Sequence, residues 1–152
     1  MRIINGISEL EKLVGQEVGV SEWLEITQER INLFAEATGD HQWIHVDVPR
    51  AERESPMGGP IAHGFLTLSL LPMLRAQTYR VEGVTAGINY GLNRLRFLEP
   101  VLAGARIRAR FVLVSVENQG QDRFRICNKV TIELEGSDRP ACIAETLGLS
   151  IF

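Results

Sequence analysis

Cysteine, aromatic residues, long apolar runs and any large excess of charge are all scarce in this chain. Of its 152 residues 2 are cysteines, Cys127 and Cys142. Two cannot build a disulfide framework, and their separation fits no zinc-type spacing, so a reducing, cytoplasmic setting is expected. The longest apolar stretch, Phe65 to Leu74, is about ten residues and is interrupted by Thr67, Ser69 and Pro72. A membrane span needs about twenty, so no membrane role is expected. At the N-terminus, Arg2, Glu9, Glu11 and Lys12 come too early for the apolar segment of a secretory signal. The net charge of −3 argues against a nucleic-acid partner. There is no internal repeat, low-complexity tract or linker. What is present is an ordinary globular balance, 45% hydrophobic and 23% charged, at a length that makes residues 1–152 one domain. A chain of this size buries roughly 68–70% of its unfolded surface, enough for a core without staples.

The two halves differ in period. The first half carries helix signals. Ser8 to Glu11 fits a capping box, with Gly15 as a stop, and Val18 to Ile26 alternates loosely as a first strand. Thr27 can cap a helix whose Ile31, Phe34, Ala35 and Thr38 share a face, ending at Gly39. Asp47-Val48-Pro49 opens a short helix over Arg50 to Glu54. Pro56 to Pro60 is a loop, and from Gly64 to about Arg75 the chain is apolar nearly all round, as a helix buried on every side would be. Pro72 should kink that helix or begin its end. From Thr85 onward the period is two, over Asn93–Phe97, Arg106–Phe111 and Arg123–Ile126, with turn signals between. Helices followed by strands with one wet face predict an α+β fold in which an antiparallel sheet wraps the apolar helix.

Chemistry concentrates in one stretch. All three histidines, His41, His45 and His63, fall within 23 residues, and Asp40 adjoins the first. On a continuous helix Asp40 and His45 would stand about 140° apart, so they converge only if the chain breaks near Gly39. A carboxylate and an imidazole brought together could hold one water for acid–base work. Equally, Asp40 could be a helix cap and His45 a satisfied core histidine. A metal site from His41 and His45 with Asp40 or His63 is weakened by Gly39, and no serine or cysteine sits in a nucleophile pattern. Gly64, opening the apolar helix, could offer its amide to a developing oxyanion, or simply ease a tight turn. Arg94, Arg96, Arg106, Arg108 and Arg110 alternate on strands, as a solvated outer face or as partners for a ligand's phosphates.

The order of these signals is more telling than any one of them. Phe34-Ala35-x-Ala37-Thr38-Gly39-Asp40-x-x-x-Ile44-His45, followed by Pro60-Ile61-Ala62-His63-Gly64, resembles the MaoC-like (R)-specific enoyl-CoA hydratase family. The wording Gly39-Asp40-His41-Gln42-Trp43-Ile44-His45-Val46-Asp47 is similar to its nodulation protein N-like branch. The resemblance implies a hot-dog fold, an antiparallel sheet around a long central helix. It implies reversible hydration of a trans-2-enoyl thioester of coenzyme A or acyl carrier protein to the (3R)-3-hydroxyacyl form, without metal or cofactor, in a homodimer. It further implies Asp40 and His45 as the catalytic pair, Gly64 as oxyanion donor and His63 as the residue orienting the loop. Two departures stand out. Gln42-Trp43 replaces a common Asn-Pro, so Trp43 would reshape the tunnel mouth. Pro72 stands where some members have a serine supporting the aspartate, with Ser69 one turn earlier as the available substitute. On the same fold, the alternatives are an acyl-CoA thioesterase using Asp40 or a nearby Glu, and a non-catalytic acyl-thioester-binding subunit.

Overall fold

The computed structural model describes residues 1–152. It opens with a short strand, β1 (Arg2–Ile4), and a one-turn helix, α1 (Ile7–Glu11). Two short strands follow, β2 (Glu17–Val20) and β3 (Leu24–Glu25), and then three helices, α2 (Gln28–Thr38), α3 (Trp43–Val46) and α4 (Val48–Glu54). The apolar segment forms α5 (Gly64–Ser69) and α6 (Leu71–Ala76), and β4 (Tyr79–Val81) leads out of it. Four long strands complete the chain: β5 (Ala86–Phe97), β6 (Arg106–Gly120), β7 (Arg123–Leu134) and β8 (Cys142–Ile151). The main sheet has the order β2-β6-β7-β8-β5, with β3 also on β6, and all its pairings are antiparallel. β1 and β4 form a separate parallel pair.

The sheet curls around α5 and α6. On β6, Ile107, Ala109, Phe111 and Leu113 alternate inward, and all four are buried. They share one core cluster with Leu66, Leu70, Leu71 and Leu74 of the helices and Val130 and Ile132 of β7. The intervening residues of β6 face out. Arg106 pairs there with Glu135, Arg108 with Glu133, and Arg110 with both Glu17 and Glu133. The basic stripe is therefore a solvated outer face on β6. Its acidic partners come from neighbouring strands that sequence proximity does not reveal. This α+β architecture is a hot-dog fold, and no helix in it is long and apolar enough to cross a membrane.

Several local expectations hold. Thr27 accepts from Arg30 N–H as the cap of α2, and Gly39 ends that helix at φ 77°, a left-handed conformation that glycine adopts without strain. Asp47 caps α4 through Arg50 N–H. Others need correction. The first helix is closed by Glu9, which accepts from the backbone and side-chain amides of Asn5, rather than by a Ser8–Glu11 box. The first strand is β1. The Val18–Ile26 stretch is two strands, because Ser21 Oγ accepts from Ala109 N–H at 2.9 Å and replaces a ladder bond with a side chain. The central helix is not continuous. Pro72 has no N–H for the carbonyl of Leu68, and the segment divides at Leu70. Nor is it buried on every side, since Phe65 is 64% exposed and Ser69, Pro72 and Met73 continue the same open stripe. Beside it β5 has its outer edge unpaired, and every residue on it except half-buried Leu95 is exposed.

Candidate active site

Gly39 decides the local course of the chain. Because α2 stops there in a left-handed turn, Asp40 leaves the helix axis, and the short helix α3 then carries His45 back. The loop before α5 is laced to α3, with Ile61 N–H donating to the carbonyl of Ile44 at 3.0 Å. Gln28 of α2 reaches the carbonyl of His45 through Nε2 at 2.7 Å. Asp40, His45 and His63 are thereby gathered from three segments, with one ligand atom of each within 4.8 Å of the others.

The hydrogen bonds set the tautomers. His45 Nδ1 lies 2.7 Å from the carbonyl oxygen of Ile61, which can only accept, so Nδ1 carries the proton and Nε2 is left as a base. His63 Nε2 lies 2.9 Å from the carbonyl oxygen of Asp40 and by the same reasoning donates to it. This bond ties the Asp40 turn to the residue before Gly64. The His63 ring stacks on His45 at 3.8 Å between centroids, with Phe34 against it at 4.9 Å. Burial lowers the pKa of His45 below the ordinary histidine value, against the opposing bond to Ile61, so the ring is held neutral. The Asp40 carboxylate, in contrast, is half exposed. One face of the cluster is thus packed and the other open.

The remaining candidates fall around this group. Gly64 is the first residue of α5, so its N–H lies outside the helical ladder. A Cβ there would meet the Phe97 ring at 2.8 Å, so an alanine would have to displace that ring or the start of α5. Gly64 and Phe97 line a cavity of about 300 Å³ together with Thr67 and Val101. Trp43, half-buried, lies under the guanidinium of Arg50 at 4.3 Å. Ser69 Oγ donates back to the carbonyl of Phe65 and makes no hydrogen bond to Asp40. Asp40 instead receives Gln42 N–H on Oδ1 at 3.3 Å. His41 stands apart, 3.6 Å from Glu36, so the His41–His45 ligand pair does not form. The three gathered donors could be considered for a metal ion. Their two rings stack 25° from parallel, and each already has one ring nitrogen on a backbone carbonyl. Sequence reasoning missed Ile61, Gln28 and Phe97. Their parts are played by a backbone carbonyl, a long-range amide and a steric contact, which residue type and spacing do not reveal.

Residues 9–134 match the model of the MaoC like domain. This chain belongs to the MaoC-like domain family. It is 52% identical over 147 residues to the 3-hydroxyacyl-thioester dehydratase Z of Mycobacterium tuberculosis, covering 97% of each chain. It is 46% identical to the nodulation protein N of Rhizobium meliloti, covering 96% of this chain and 91% of that one. Among solved structures, an Archaeoglobus protein described as a monoamine oxidase regulatory protein superposes with a TM-score of 0.78 at 24% identity, covering 100% of this chain and 99% of that one. The (R)-hydratase from A. caviae superposes with a TM-score of 0.70 at 22% identity, over 89% of this chain and 94% of that one. These structural likenesses establish the MaoC-like hot-dog architecture. The motif pair around Asp40 and His63 lies inside the matched region.

Proposed function

We propose that this MaoC-like protein is an (R)-specific enoyl-CoA hydratase, adding water reversibly to a trans-2-enoyl thioester to give the (3R)-3-hydroxyacyl product. The reaction class is hydro-lyase. The observation that carries the reading is the convergence of Asp40 and neutral His45 beside the unladdered N–H of Gly64. In the hydration direction, one water is held between the Asp40 carboxylate and His45 Nε2. Its oxygen bonds to C3 as one of its protons passes to this pair. The C2–C3 π electrons move toward the thioester carbonyl, whose oxygen gains charge and accepts from Gly64 N–H. The proton is then returned to C2 on the same face, so the net change is addition of H2O. His63 acts as a positioning residue, holding the Asp40 turn through its carbonyl. Residues 1–152 are read as one domain, since a single core cluster runs from Ile4 to Cys142. The working unit is read as a homodimer formed over β5, whose open edge carries exposed Ile88, Tyr90, Leu92 and Phe97 beside Phe65 and Met73. The expected setting is cytoplasmic, and no cofactor enters the chemistry.

The test is to follow loss of enoyl absorbance from a short trans-2-enoyl-CoA together with free thiol release. Hydration should fall by about 10²–10⁴-fold in Asp40→Asn and in His45→Gln. Thiol release without hydration would replace this reading with a thioesterase. Ligand binding with neither signal would replace it with a binding subunit. Hydration that survives both substitutions would overturn the mechanism.

A further inference from the structure

A cavity of about 590 Å³ lies between α5 and α6 on one side and β5, β7 and β8 on the other, its β5 wall (Ile88, Tyr90, Leu92) being the edge read above as the homodimer seam. Its wall begins at Leu68, four residues beyond Gly64 and so about 6 Å along a helix rising about 1.5 Å per residue. It is therefore placed to receive the far end of a molecule whose carbonyl sits at Gly64. Half of its 20 lining residues are hydrophobic, as suits an acyl tail, and among the polar ones two stand out.

The first is Asn128. On β7 the inward row reads Ile126, Asn128, Val130, Ile132, and all four are buried, with Asn128 only 7% exposed. Its Oδ1 has no hydrogen-bond partner, although the backbone carbonyl of the same residue accepts from Thr146 Oγ1. A buried carboxamide can form several hydrogen bonds, and a saturated chain beside it can satisfy none of them. The second is Arg75, at the last turn of α6. It is exposed, enters no ion pair, and lines the cavity. It is held against the cavity by Tyr79, a buried wall residue whose ring centre is 5.4 Å from Arg75 Cζ. A guanidinium offers five donors and no acceptor, which suits an oxygen-bearing group, a carboxylate above all.

We propose that this cavity selects acyl thioesters whose tail carries an oxygen function, bound by Arg75 and the Asn128 carboxamide, over those with an unsubstituted hydrocarbon tail. The assignment rests on the hydratase reading for the identity of the thioester, and the experiment separates the two. Binding of octanoyl-CoA, 8-hydroxyoctanoyl-CoA and the mono-CoA thioester of octanedioic acid is measured by calorimetry. Hydration of the corresponding trans-2-enoyl thioesters is measured in parallel. At least one oxygenated tail should bind ten-fold or more tightly than octanoyl-CoA. The carboxylate arm tests the charge of Arg75, and the hydroxyl arm tests neutral hydrogen bonding. Arg75→Leu should abolish the carboxylate preference. Asn128→Leu should reduce the preference for either oxygenated tail and tighten octanoyl-CoA binding. Because Asn128 lies in the sheet, the exposed helix-end variant Arg75→Leu keeps the test decisive if Asn128→Leu does not fold. Octanoyl-CoA binding as tightly as both oxygenated tails, or a preference unchanged in the variants, would overturn the proposal. If the preference is present but no enoyl thioester is hydrated, the cavity assignment stands and the hydratase reading falls.

Discussion

Replacing Gly64 by alanine tests the steric and chemical parts of the site in one experiment. The added Cβ would lie 2.8 Å from Phe97 Cδ2 and 3.0 Å from Cγ and Cε2, where ordinary contact begins at 3.4 Å. The largest shortfall, 3.4 minus 2.8, is 0.6 Å. Phe97 is 41% exposed, so its ring can give way in part, at the expense of its edge-on contact with Phe65 at 5.6 Å. Part of the displacement must fall on the start of α5. Overpacking of this kind costs about 1–3 kcal/mol, offset by about 1 kcal/mol from replacing glycine with alanine in a helix. The net loss of stability should therefore be about 0–2 kcal/mol. Activity should suffer far more, since a misplaced oxyanion donor costs roughly 10²–10³-fold in kcat. Urea unfolding and enoyl hydration kinetics measure the two quantities separately. A second substitution, Phe97→Ala, removes the obstruction and should return at least part of the lost kcat in the double variant. Full activity in Gly64→Ala, or a double variant no better than the single one, would refute the reasoning that Phe97 sets the position of this amide.

Three further outcomes follow from the same geometry. Burial holds His45 neutral with its pKa below the unfolded value, so the unfolded chain takes up that proton first; stability should be level above about pH 6.5 and decline as pH falls from there toward the folded pKa. His45→Gln should flatten that limb in denaturant titrations at several pH values. Thr27→Ala removes the side chain that accepts from Arg30 N–H and should cost about 1 kcal/mol in urea unfolding, with kcat little changed because the cap lies at the far end of α2 from Asp40. Burial pushes the thiols of Cys127 and Cys142 up to about 11, so iodoacetamide at pH 8 should leave both unmodified in the folded protein and label both in denaturant, read by mass spectrometry.

Local physical chemistry accounts for how much of this molecule was legible in advance. Gly39 as a stop, Thr27 and Asp47 as caps, and the inward row of β6 each depend on residues within a few positions of one another, so spacing alone reveals them. The convergence of Asp40 and His45 was legible only as a condition, that the helix break at Gly39. The motif pair extending to His63 and Gly64 made that condition specific. The strand pairings β1 with β4 and β8 with β5 were not legible, because a three-residue strand has no measurable period and a partner is chosen by the whole fold.

The sequence by itself determined an α+β chain with a break after α2, an apolar helix beginning at Gly64 and a sheet with one buried face, because turns, caps and alternation are short-range. Only the tertiary structure decided which nitrogen of His45 is the base, since that depends on the carbonyl of Ile61 sixteen residues away. It alone showed that Phe97 crowds position 64, that the outward arginines of β6 are paired across strands, and that Asn128 Oδ1 is buried without a partner. The physical reason is the same in each case. Hydrogen-bond direction, steric closeness and burial are properties of pairs brought together by folding, and no single stretch of sequence contains both members.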